Sequence, residues 1–115
     1  MMIENNYMEA KRICTDELRE FYCDINDFLP NPDGSYFVAW SMEDALYVQR
    51  RINAAIATIL STCMRCHVAF EMDNIQKDMA EAIKAKNIPE VKRVLNNAVR
   101  EFSYVLAACK AIKSE

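Results

Sequence analysis

Apolar residues recur every three or four positions along most of the chain, which is the spacing of one face of an α-helix. The first such stripe predicts a helix over residues 6–28. Cys14 lies within this stripe, whereas Cys23 lies nearly opposite Leu18 and is expected to be exposed. The predicted core positions of this helix are Tyr7, Ala10, Cys14, Leu18, Phe21, Ile25 and Phe28.

A second helix is predicted to begin after Ser41, because Ser41 and Asp44 have the spacing of a capping box. Its stripe continues to Phe70 and then changes phase. We therefore expect either a break near residues 72–74 or one continuous helix with a phase shift. The predicted core positions before the change are Ala45, Val48, Ile52, Ala55, Ile56, Ile59, Cys63, Cys66 and Phe70, and those after it are Ile75, Met79, Ala82 and Ile83.

The last helix has the clearest start signal in the chain. Asn87 has the position of a helix cap, Pro89 falls in the first turn, and Glu90 falls at the third helical position. Tyr104 points away from the apolar stripe of this helix. The predicted core positions are Val91, Val94, Leu95, Ala98, Phe102, Val105, Cys109 and Ile112.

One glycine and three prolines leave the chain with few residues suited to turns. This scarcity favours long helices with few connections over a sheet. We therefore predict an all-α fold, a single helical-bundle domain over residues 1–115 with three long helices, or four if the second helix breaks. One short extended segment, at residues 35–40, separates the first two helices.

That extended segment is rich in aromatic and apolar residues and follows a turn at residues 31–34, where proline and glycine favour a reversal of the chain. Two interpretations are open. The segment covers the open end of the bundle, which we favour, or it forms the surface that binds a partner. The candidate partner-binding residues are Tyr36, Phe37, Val38 and Trp40.

Cys63, Cys66 and His67 form the pattern C-x-x-C-H, by which haem is attached covalently and its iron is ligated. On a helix these side chains share one face, so they also suit a metal ion if Cys14 or Cys109 supplies a fourth ligand. However, both thiols continue the apolar stripe of the second helix, and free cysteine packs as a small hydrophobic residue. We therefore predict buried, reduced thiols without metal or haem, and a haem- or metal-binding protein is the first alternative.

The net charge of −3 is spread unevenly along the chain. Residues 75–115 carry eight basic and five acidic side chains, an excess that is weak for a nucleic-acid-binding protein. Binding to nucleic acid is therefore not expected, and a nucleic-acid-associated regulator using this basic third is the second alternative. No apolar leader and no apolar run of about 18 residues is present, so we expect a cytoplasmic protein without a membrane span.

The sequence contains few of the residues that catalytic motifs require. His67 is the single histidine, and one glycine excludes a glycine-rich phosphate-binding loop. We therefore expect no enzyme but a small binding or regulatory protein that acts through protein contacts, as an adaptor, a chaperone or an inhibitor of the kind encoded by phages and mobile elements. The identity of its protein partner is open. A homodimer or higher oligomer is expected, because the apolar stripes look too wide for one three-helix core.

Overall fold

Four α-helices form almost all of the regular structure in the described part of the chain. The computed structural model describes the backbone of residues 2–62 and 66–111, and the side chains of residue 9, residues 11–62 and residues 68–107. Within these ranges it contains no strand, and none of its helices is long and apolar enough to cross a membrane. The elements are α1 (Met2–Ile25), a 3₁₀ turn (Asn26–Phe28), α2 (Met42–Thr62), α3 (Cys66–Lys84) and α4 (Ile88–Ala111).

The four helices pack against one another in a bundle. α1 packs against α2 and α4, α3 also packs against α2 and α4, and α2 contacts α4 across the centre. The bundle is elongated, with extents of 50 × 27 × 19 Å. The predicted all-α helical bundle is therefore confirmed, in its four-helix form. The α1–α2 and α3–α4 connections lie at the same end of the bundle, because Tyr36 of the first contacts Lys92 near the start of α4.

The core contains only apolar side chains among the described residues, and all four helices contribute to it. At its centre, the rings of Phe21 from α1 and Phe102 from α4 meet edge to face, with their centroids 5.0 Å apart. The fully or almost fully buried residues are Cys14, Leu18, Phe21, Ile25, Ala45, Val48, Ile52, Ala55, Ile56, Ile59, Met72, Ile75, Met79, Ala82, Val91, Val94, Leu95, Ala98, Phe102 and Val105.

The first predicted stripe is confirmed from Cys14 to Ile25, whereas Phe28 is only half-buried against the core. Cys14, Leu18, Phe21 and Ile25 are buried, and Cys23 is exposed. The α-helix ends at Ile25 rather than at residue 28, because the chain tightens into the 3₁₀ turn before the two prolines. The predicted core positions of α4 are likewise buried from residue 91 to residue 105.

The predicted break near residues 72–74 is wrong. α2 ends at Thr62, and residues 72–74 lie inside α3. The side-chain amide of Gln76 donates to Asn53 Oδ1 at 3.3 Å, so α3 lies beside α2 rather than extending it. The change of phase in the apolar stripe therefore reflects two helices, each with its own buried face. The alternative of one continuous helix is wrong for the same reason.

Phe70 was expected in the core, but 67% of its surface is exposed. On α3 it lies about 140° around the helix axis from the buried Ile75, at about 100° per residue. Its assignment to the core depended on extending the α2 stripe through residues that belong to α3. Met72, which that extension missed, is buried instead.

Arg51 of α2 links its helix to α1 through two carboxylates. Its Nε lies 3.0 Å from Asp24 Oδ2, and its Nη2 lies 3.6 Å from Glu17 Oε1. All three side chains are largely shielded from water, which weakens the screening of their charges. These ion pairs join α2 to α1.

Tyr22 makes the corresponding polar contact between α1 and α4. Its hydroxyl donates to the carbonyl of Val99 at 3.2 Å and lies 3.0 Å from Ser103 Oγ. Partial burial raises the pKa of Tyr22 above its ordinary value, because the phenolate would be poorly solvated there. Tyr22 therefore remains a neutral hydrogen-bond donor.

The caps predicted at the starts of α2 and α4 are both present. Asp44 N–H donates to Ser41 Oγ at 3.2 Å, and Ser41 N–H donates to Asp44 Oδ2 at 2.9 Å, which is a reciprocal capping box. At the start of α4, Glu90 N–H donates to Asn87 Oδ1 at 3.2 Å. The carboxylate of Glu90 bonds to Arg93 instead of reaching back to the cap.

A lysine occupies the position at which a glycine usually ends a helix. After α3, Lys86 N–H donates to the carbonyl of Ile83 and Asn87 N–H donates to that of Ala82, each at 3.0 Å. This pair of bonds is the Schellman motif, and it places Lys86 at φ 54°. A side chain is strained in this left-handed conformation, whereas glycine is not.

We expect Lys86→Gly to raise the free energy of unfolding by about 0.5–1 kcal/mol, because relief of the strain exceeds the greater entropy of glycine in the unfolded chain. Lys84→Gly is the matched control, since Lys84 has helical geometry in the last turn of α3. Lys84→Gly should lower the free energy of unfolding by about 0.5–1 kcal/mol. Urea denaturation measures both; destabilisation by both variants would contradict the assigned helix end.

Candidate partner-binding segment

The connection between α1 and α2 begins with a tight turn. Asn31 N–H donates to the carbonyl of Ser35 at 2.7 Å, and Gly34 N–H donates to that of Asn31 at 2.8 Å. Gly34 has φ 86°, a value that suits glycine. Asp33 accepts hydrogen bonds from the hydroxyl and the N–H of Ser35, which lower the pKa of its carboxyl group. The turn predicted at residues 31–34 is therefore present.

Residues 36–40, the aromatic segment, alternate between two environments. Tyr36, Val38 and Trp40 are half-buried, whereas Phe37 and Ala39 are exposed. The backbone bends at Phe37 and Val38, so this alternation comes from the path of the connection over the helices. The segment pairs with no strand in the described part of the chain. It lies across the end of the bundle with one side toward the helices and the other toward solvent.

Trp40 packs the end of the segment against the 3₁₀ turn that follows α1. Its ring meets Phe28 edge to face, with a centroid separation of 5.2 Å, and Phe28 in turn lies 5.9 Å from Tyr47. The Trp40 Nε1 atom is buried and has no hydrogen-bond partner. These aromatic side chains pack against the edge of the core. The geometry at Trp40 is therefore that of a covered bundle end.

Tyr36 holds the beginning of the segment against α4. The Lys92 ammonium lies over the Tyr36 ring, 4.3 Å from its centroid, which is a cation–π contact. Lys92 lies in the second turn of α4, just after the α3–α4 connection. No local sequence pattern would have paired Lys92 with Tyr36.

Phe37 lies between these two contacts and points away from the bundle. Its side chain is 80% exposed, the highest value among the large apolar residues whose side chains are described. The four candidate residues thus divide into two kinds. Tyr36, Val38 and Trp40 are turned partly toward the bundle, and Phe37 alone offers a large apolar ring to solvent.

The side chains of the three candidate haem or metal ligands lie outside the described part of the structure. Cys63 lies outside the described residues, and Cys66 and His67 begin α3 without described side chains. The same holds for the side chain of Cys109, whereas Cys14 is buried in the core. Among the described residues, no three potential ligands come together. The prediction of buried, reduced thiols therefore stays a prediction.

Several basic side chains of the C-terminal third form ion pairs or hydrogen bonds within the protein. Arg93 pairs with Glu90, and this ion pair lowers the pKa of Glu90 and raises that of Arg93. Arg100 donates to Asn97 Oδ1 at 2.6 Å. Together with Lys92, these groups are less available to phosphates than the charge count alone indicated.

The chain was compared with models of protein families, with curated proteins and with solved structures, and none of them matches. Its function is therefore inferred from its residues and their geometry. Phe37 and the contacts that flank it are the features of the described surface that most clearly differ from ordinary packing.

We expect Trp40→Ala to lower the free energy of unfolding by about 2–3 kcal/mol, somewhat less than for a fully buried aromatic residue. The loss reflects the missing contact with Phe28. Trp40→Phe is the control, because it keeps an aromatic ring and removes the unpartnered N–H. It should lower the free energy of unfolding by at most about 1 kcal/mol. Thermal and urea unfolding measure both. An unchanged melting curve for Trp40→Ala would show that the segment does not cover the bundle end.

Proposed function

We propose that this chain is a small non-enzymatic binding or regulatory protein, and that Phe37 is the central residue of its contact with a protein partner. The observation that supports this proposal is the 80% exposure of Phe37 on a segment held on both sides. Exposed apolar residues are common on protein surfaces and need no explanation singly. Phe37 differs because the residues around it already have packing contacts of their own.

Phe37 suits binding because the backbone that carries it is held in place before a partner binds. Association costs free energy when side chains and loops must be ordered at the interface. The Trp40–Phe28 and Tyr36–Lys92 contacts order this backbone before any partner arrives. Phe37 therefore enters an apolar pocket of a partner at a low entropic cost, and aromatic residues in such positions contribute much of the binding energy.

A protein partner fits this surface better than a nucleic acid. A single-stranded nucleic acid would stack bases on aromatic rings beside a continuous basic groove. Here the nearest described ammonium already contacts Tyr36, and Arg93 pairs with Glu90. An apolar pocket with few charges is the complement that Phe37 requires.

The homodimer stays a prediction. It was argued from apolar stripes too wide for three helices, and the fourth helix provides a cover for those stripes within the chain. Buried residues of α2 and α4 lie in the same core as those of α1 and α3. The partner proposed for Phe37 is therefore a different protein, whose identity is open.

The test compares two exposed phenylalanines. We expect Phe37→Ala to leave the melting temperature nearly unchanged and to weaken partner binding by at least about 2 kcal/mol, the loss typical of a hot spot. Phe70→Ala is the matched control, because Phe70 is 67% exposed but lies on α3, away from the segment. The partner is captured from host extract by the wild-type chain and identified by mass spectrometry, and its affinity is then measured by calorimetry.

Equal binding by the Phe37→Ala and wild-type chains would refute the role of Phe37. Equal losses for Phe37→Ala and Phe70→Ala would show that binding depends on general surface hydrophobicity rather than on the aromatic segment. Turnover of a substrate by the purified protein would refute the non-enzymatic proposal.

A further inference from the structure

Asp33 and Gly34 form the one Asp-Gly pair of the chain, and they lie in the turn at residues 31–34. In such a pair the backbone nitrogen of the glycine can attack the side-chain carboxyl group of the aspartate, because glycine has no side chain to hinder the approach. The product is a cyclic imide. Its hydrolysis gives either aspartate or isoaspartate, in which the main chain continues through the side-chain carboxyl carbon.

The surroundings of Gly34 leave this approach open. Asp33, Gly34 and Ser35 are all exposed to solvent. Among the described residues other than the two chain neighbours of Gly34, no atom lies within 4 Å of the place that a β-carbon would occupy. Packing therefore does not protect this pair, and water can reach an imide formed here.

Hydrogen bonds supply the protection that packing does not. The hydroxyl and the N–H of Ser35 both donate to Asp33 Oδ1, at 2.6 and 3.0 Å, and Asn31 Nδ2 donates to Ser35 Oγ at 3.0 Å. The bond from the Ser35 hydroxyl, followed by that from its N–H, lowers the pKa of Asp33 because both stabilise the carboxylate. The carboxylate does not form the imide, since its leaving group would be an oxide ion rather than water.

The nitrogen of Gly34 is held in the same turn. Gly34 N–H donates to the carbonyl of Asn31 at 2.8 Å, and closure of the imide removes this hydrogen atom from the nitrogen. The final product also opposes the turn, because isoaspartate adds one methylene group to the backbone. The added group lies between Asn31 and Ser35, whose N–H and carbonyl are joined at 2.7 Å.

We propose that Asp33 is a site of spontaneous isomerisation to isoaspartate, and that Ser35 slows the reaction by holding the Asp33 carboxylate. In the first step Gly34 N bonds to Asp33 Cγ, the Cγ–OH bond of the protonated carboxyl group breaks, and the N–H proton leaves with the hydroxyl group as water. In the second step water adds to the main-chain carbonyl carbon of Asp33, the bond from that carbon to Gly34 N breaks, and the nitrogen regains a proton. No electrons are transferred, and the reaction is independent of the role proposed for Phe37.

The experiment keeps the full chain for several weeks in mildly acidic buffer, folded in one sample and unfolded by urea in another. Proteolytic digestion and electron-transfer fragmentation then distinguish isoaspartate from aspartate at each position. Ser35→Ala removes the hydroxyl donor, and Ser61→Ala is the matched control, because Ser61 is an exposed serine whose hydroxyl bonds within α2. Asp33→Glu is the blank, since the longer side chain must close a larger ring that forms more slowly. Circular dichroism establishes that each variant is folded.

We expect isoaspartate at residue 33 to form about three- to tenfold faster in Ser35→Ala than in the wild-type chain, the factor that corresponds to the loss of one hydrogen bond. The unfolded chain should react at least as fast as Ser35→Ala, and Ser61→Ala should react like the wild-type chain. Asp33→Glu should give no isoaspartate at this position. Asp44 should stay aspartate in the folded chain, because the N–H of the following Ala45 is held by the carbonyl of Ser41.

Equal rates in the wild-type chain and Ser35→Ala would overturn the role of Ser35, as would an equal acceleration by Ser61→Ala. An unfolded chain without isoaspartate at residue 33 would overturn the site itself. Equal rates in the folded and unfolded wild-type chains would contradict protection by the turn, whether or not Ser35→Ala folds.

Discussion

The structure depends on four amphipathic helices covering one another's apolar faces. Helices of this length are marginal in water alone, and most of their stability comes from burial of one face against other elements. The stripes of α1 to α4 meet in one core without a polar side chain among the described residues, and Phe21 and Phe102 contact at its centre. Arg51 and Tyr22 add polar contacts between helices at the edge of this core.

The need to cover the apolar helix faces also determines which side chains lie at the end of the bundle. Because α1 and α2 are antiparallel, the connection between them must cross the end of the core and cover part of it. Trp40 does so by packing on Phe28, and Tyr36 does so beside Lys92. Phe37 lies between these residues, and its side chain stays exposed. The proposed binding surface is thus a consequence of closing the bundle.

Local patterns predicted much of this fold and little of the site. The stripe from Cys14 to Ile25, the capping box at Ser41 and the cap at Asn87 depend on neighbours within a few residues, so the sequence reveals them. The end of α2 was misplaced, and Phe70 was assigned to the core, because periodicity reports which face is apolar but not where one helix gives way to another. The contact between Lys92 and Tyr36 joins distant segments and has no local signature. Likewise, half-burial of Trp40 and exposure of Phe37 depend on the path of the connection over the helices.

The most direct measurement is oxidation of side chains by hydroxyl radicals in the free protein, read by mass spectrometry against the urea-unfolded chain. The central claim is that the chain covers its own apolar stripes and leaves Phe37 outside. We expect Phe37 to be oxidised nearly as fast in the folded as in the unfolded chain, and Phe21 and Phe102 to be strongly protected. Protection of Phe37 equal to that of Phe21, or loss of protection at Phe21 and Phe102, would contradict the claim.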